Sequence, residues 1–173
     1  ITPEGEKTLI KKGIKQQYGM TTGPDGFIYL AQLWHSKLHR FTMDGESITT
    51  NIKGVHWLRN VEFNPKGEIF LLGGRGIYKL ESDITAELGN VSEVCNWKKD
   101  GFQGYHQIEL VFDANGTLYS SAGAPHGSDS DVKGFIYKHG SDGRSHQLLA
   151  RIGNKPLYMA FYPKKRELVQ KNK

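Results

Sequence analysis

Apolar and polar positions alternate along this chain in short runs, with no stretch at helical spacing. Residues 19–30, 60–71 and 109–120 share one pattern. An alternating run leads to an anchor at Pro24, Pro65 or Ala114, then to a glycine at Gly26, Gly67 or Gly116, and then to a second apolar run such as Ile69-Phe70-Leu71. A fourth copy begins at Tyr158 with its anchor at Pro163, and the anchors are spaced by 41, 49 and 49 residues. Period-two alternation predicts half-buried strands. Asp25-Gly26 and Asn115-Gly116 supply the residues that a two-residue hairpin between twisted strands requires at positive φ.

A third strand is expected at residues 37–41, 76–80 and 134–138, and an outer fourth strand most clearly at 47–52 and 146–151, each after a turn at Asp44-Gly45 or Asp142-Gly143. A period in the forties, with four strands to a repeat, is the signature of a β-propeller blade. The expected fold is therefore all-β, a propeller of four-stranded antiparallel blades with about three and a half present. The blades fall at approximately 18–54, 55–104 and 105–155, with partial blades at 1–17 and 156–173; residues 1–10 read as the turn and outer strand of a preceding blade. Two arrangements fit. Either that strand completes the C-terminal blade and closes a four-bladed ring, or the chain is part of a ring of about six blades. An incompletely paired terminal edge favours the larger ring.

Composition agrees with short strands and tight turns: 21 Gly, 6 Pro, 8 Phe, 8 Tyr and 3 Trp in 173 residues. The net charge is +5 and the basic residues are scattered apart from a C-terminal cluster at Lys164, Lys165, Arg166, Lys171 and Lys173, so no nucleic-acid partner is expected. No run is long enough for a helical membrane span. The lone Cys95 excludes an intrachain disulfide and reads as a buried apolar thiol. Asn90-Val91-Ser92 and Asn115-Gly116-Thr117 match the glycosylation triplet by spacing alone. His35, beside Trp34, reads as an exposed loop residue, and the oxygen-rich run at 125–131 as a solvated loop without the spacing of a calcium loop. No protein metal site, Ser-His-Asp arrangement or phosphate-binding glycine loop is expected.

The chemistry-bearing residues gather at the heads of the inner strands. Trp57, Arg59 and Asn60 open the second one, and Tyr105, His106 and Gln107 the third, with Tyr158 at the matching place in the fourth. An aromatic wall with amide and guanidinium groups suits the apolar face and the hydroxyls of a sugar. Packing of Trp57 between blades, and satisfaction of His106 by neighbouring backbone, fit these positions equally well.

The phrase at 25–31, followed by 37–41 and Asp44-Gly45, resembles the NHL-like propeller superfamily, which includes gluconolactonases and streptogramin lyases. Residues 106–123 resemble more closely the third-blade segment of the soluble quinoprotein glucose, aldose and sorbosone dehydrogenases. That resemblance implies a six-bladed ring that oxidises sugars with pyrroloquinoline quinone and calcium, with His106 as the base that takes the hydroxyl proton. It also implies that Asn154 and Lys155 face the quinone. Asn154-Lys155-Pro156 stands where that family has Arg-Asn-Pro, and further cofactor ligands belong to blades outside these residues. An extracellular or periplasmic location is implied as well. The other readings are a propeller that binds a small molecule or a protein without catalysis, a lactonase or lyase, and self-association or docking with further blades of a parent chain.

Overall fold

The computed structural model describes residues 5–101, 106–123, 134–153 and 159, with residue 106 described by its backbone. Among these residues no helix is long and apolar enough to cross a membrane.

Among the described residues three sheets of antiparallel strands follow one another. The first holds β1 (Gln17–Thr22), β2 (Ile28–Gln32), β3 (Lys37–Phe41) and β4 (Ser47–Ile52). The second holds β5 (Asn60–Phe63), β6 (Ile69–Leu72), β7 (Gly76–Leu80) and β9 (Val91–Asn96), and the third β10 (His106–Phe112), β11 (Leu118–Gly123), β12 (Gly134–His139) and β13 (His146–Ile152). The short β8 (Leu88–Gly89) leaves the second repeat and pairs parallel with Asn51 and Ile52 of β4. It ties the two sheets together at their outer rim.

Alternation within the second sheet explains how the sheets stack. Val61, Leu71, Tyr78 and Leu80 pack toward the first sheet with Tyr29, Ala31 and Leu38. Phe70, Leu72, Ile77 and Cys95 pack toward the third with Leu110, Leu118, Phe135 and Tyr137. Both faces of the middle sheet are thus apolar, and each fully buried aliphatic or aromatic side chain contributes about 1.5–3 kcal/mol. At the first sheet's opposite face the pattern ends in the open: Met20 is 67% exposed, whereas Val61 and Leu110, in the same register of their repeats, are wholly buried.

The hairpins differ from the sequence expectation. Gly26 N–H donates to Gly23 O at 3.0 Å and Gly23 N–H to Phe27 O at 2.8 Å, and Gly26 has φ 79° while Asp25 does not enter the positive region. The connection is a type I turn followed by one left-handed glycine rather than a two-residue loop. Pro24 fits the first central position of that type I turn, where a φ near −65° is the value required. The turn ending at Gly116 has the same bonds, and the Asp113 carboxylate accepts from Asn115 N at 2.9 Å and Thr117 N at 2.8 Å.

Residues 5–10 form no strand, contrary to the expected outer strand over 1–10, of which residues 1–4 lie outside the described residues. A strand needs a hydrogen-bonded neighbour, and the described residues include no other strand of the sheet this segment would finish. The segment instead runs beside the first sheet: the Ile10 carbonyl presses on Gly45, Lys15 O accepts from Gln32 Nε2 at 3.0 Å, and Gln16 O accepts from Leu33 N at 3.1 Å.

Candidate functional site

Stacking the sheets brings the heads of the inner strands side by side. Gly19 of β1 lies so close to β5 that a Cβ there would stand 2.6 Å from Arg59 O and 2.7 Å from Asn60 Cα. Between β5 and β10, Arg59 Nη1 donates to Gln107 O at 2.9 Å, and Asn60 Nδ2 donates to Glu109 Oε1. The register of β10 against β11 shifts between Gln107 and Glu109, and this bulge re-aims the two side chains relative to a regular strand.

Two carboxyls complete the cluster. Burial, and then the charge of Glu62, pushes the Glu109 carboxyl up to about 7. Burial also raises the Glu62 carboxyl, against hydrogen bonds from Phe63 N at 3.1 Å and Thr21 Oγ1 at 3.5 Å. Glu109 can therefore accept or release a proton near neutral pH. The Arg59 guanidinium is held below its usual value by burial, the phenol of Tyr18 acting weakly the other way.

Several polar atoms here are buried without a partner among the described residues: Arg59 Nε and both the Nε2 and Oε1 of Gln107, a side chain only 2% exposed. Trp57 stands just before them, 49% exposed, with φ 56°. For a bulky residue that conformation is an outlier. It is braced by Gly74, whose N–H donates to His56 O at 2.7 Å and whose missing side chain makes room for the indole.

Of the residues expected at the site, Trp57, Arg59, Asn60 and Gln107 therefore lie together around the heads of β5 and β10. The backbone of His106 opens β10 opposite Gly123, and its side chain lies outside the described residues. Tyr105, Asn154, Lys155 and Tyr158 also lie outside them, as does the 125–131 loop. Glu62 and Glu109 were not singled out from the sequence. The available signal was a carboxylate in each of two inner strands whose neighbours are apolar.

A cleft of about 980 Å³ lies at the other end of these strands between the second and third sheets, lined by the turns around Gly116 and Asp142 and by Phe70 and Phe112. Two of its carboxylates are ion-paired, Glu68 with Lys79 at 2.7 Å and Glu93 with Lys99 at 3.0 Å. Among the described residues no three of His, Cys, Asp and Glu converge as metal ligands. Cys95 is buried and its thiol is pushed far above the usual range by that burial, so it is inert; His35 is an exposed loop residue.

Radially stacked four-stranded sheets, with their inner strands side by side, define a β-propeller. Neither protein-family models nor curated protein sequences match the chain. Solved structures do. The pyrroloquinoline-quinone-bound aldose sugar dehydrogenase from Streptomyces coelicolor superposes with a TM-score of 0.58 at 14% identity, covering 78% of this chain and 47% of that one. Regucalcin from Agrobacterium tumefaciens, a calcium-binding protein, gives 0.59 at 11%, covering 81% and 44%. Virginiamycin B lyase from Staphylococcus aureus gives 0.56 at 15%, covering 86% and 46%. The chain spans less than half the length of these three propellers, and at such identities they share its fold.

Proposed function

We propose that the heads of β5 and β10 bind a small hydroxyl-rich molecule of the sugar class. The observation that carries this reading is the convergence of Arg59, Asn60, Gln107 and Glu109 from two sheets, with unpartnered buried donors and acceptors beside the half-exposed Trp57. Hydroxyls satisfy both amide donors and carbonyl acceptors, and the indole offers an apolar platform for a sugar ring. Titration calorimetry with a panel of aldoses tests the reading. Saturable binding, weakened about tenfold or more in Trp57→Ala, is expected from the loss of an aromatic anchor; no binding by any member of the panel overturns it.

Oxidation of the bound sugar is a second reading, favoured by the 106–123 run, which occupies β10 and β11 with His106 at the head. The described residues do not make a quinone and calcium site: no three metal-ligating side chains converge, and Asn154 and Lys155 lie outside them. No chemical step is therefore derived through the quinone. Aldose-dependent dye reduction in the presence of pyrroloquinoline quinone and calcium, abolished in His106→Ala, would support this reading, and failure of the quinone to bind would leave a binding propeller.

A further inference from the structure

The charge of this cluster narrows what it takes. Arg59 is half-buried, yet among the described residues no carboxylate forms an ion pair with it, and the one hydrogen bond of its guanidinium to a described residue is from Nη1 to the uncharged Gln107 carbonyl at 2.9 Å. The Nε atom, on the other edge, is buried with no hydrogen-bond partner among the described residues. That edge is the one with which an arginine grips a carboxylate through two parallel N–H bonds. A buried cation without a counter-charge is costly, and the cost is relieved when a ligand supplies the charge. The nearby acids do not supply it. Glu109 is engaged by Asn60, and Glu62 by Thr21 and the Phe63 amide.

Resting on the reading of this cluster as a sugar site, we infer that its ligand carries a carboxylate, as a uronic acid does, with the carboxylate on the Nε edge of Arg59 and the ring against Trp57. The buried Gln107 amide then faces the ligand's oxygens from the neighbouring strand.

The test compares glucose with glucuronate, which share a pyranose ring and differ at C6, by titration calorimetry on the full chain. Glucuronate is expected to bind about tenfold tighter or more, as hydrogen bonds to a charged group allow, with a preference that shrinks in 0.5 M NaCl and disappears in Arg59→Met. Equal binding of the two sugars overturns the carboxylate assignment and leaves the sugar site standing; binding of neither overturns both. A preference that survives Arg59→Met places the carboxylate elsewhere and overturns the role of Arg59. Should Arg59→Met fail to fold, Arg59→Lys keeps the charge and loses the two-bond fork, so a reduced preference supports the assignment and an unchanged one overturns it.

Discussion

Single residues in the cluster carry consequences that can be measured apart from any ligand. The folded chain holds a proton on Glu109 up to about pH 7, whereas the unfolded carboxyl, at 4.5, has already released it. Between those values the folded state binds more protons, so stability falls as pH rises through the window and stays low above it. Glu109→Gln keeps an acceptor for Asn60 and removes the charge. Its expected effect is a gain of about 1–2 kcal/mol at pH 8, discounted for partial exposure, and little change at pH 4.5. Denaturant melts at the two pH values measure it, and an equal effect at both would refute the shift. The positions of Arg59, Asn60 and Gln107 were legible in the sequence because they head a repeated strand. Glu62 and Glu109 were not, since within one strand each reads as a polar residue facing away from the core. Only adjacency of β5 and β10 puts Glu109 in the field of Glu62.

Elements are held by their turns and by how closely neighbouring strands approach, and two glycines separate these effects. Gly26 has φ 79° with open space around its Cα, so Gly26→Ala should cost about 1 kcal/mol through backbone conformation alone, leaving the inner strands in place. Gly19 lies against the backbone of Arg59 and Asn60, so Gly19→Ala must push β1 away from β5. About 1–3 kcal/mol of overpacking is expected, along with loss of the proposed sugar binding through displacement of Asn60. Thermal melts with parallel calorimetry distinguish the two; a Gly19→Ala variant as mild as Gly26→Ala would show that the strands can part freely. The turn itself illustrates the limit of local reading. Asp-Gly marked the hairpin correctly, but the same turn forms at Pro24 and at Ala114, so the register of the flanking strands decided which residues form it.

At the scale of the whole molecule, the third sheet contains a histidine whose burial opposes its protonation. His139 accepts from Ser120 Oγ at 2.8 Å through Nε2 and donates from Nδ1 to Gly143 O at 3.2 Å, and its pKa falls from 6.5 to about 4, chiefly through burial. Between these values the unfolded chain binds more protons, so this contribution is lost as pH falls through the window, opposite in sign to that of Glu109. Stability measured from pH 7 to 4 should therefore slope less steeply in His139→Gln than in the parent; an unchanged slope would assign the acid sensitivity to other groups. The sequence by itself determined the repeat, the four strands of a blade, the turn positions and the alternation that makes the middle sheet apolar on both faces. These depend on neighbours a few residues apart, whose spacing is written in the chain. Tertiary structure alone decided that residues 5–10 form no strand, that β8 crosses to the first sheet, and that Arg59, Gln107 and Glu109 meet. A strand exists only where another edge hydrogen-bonds to it, and a charge is perturbed only by what packs against it, and both partners here come from a different repeat.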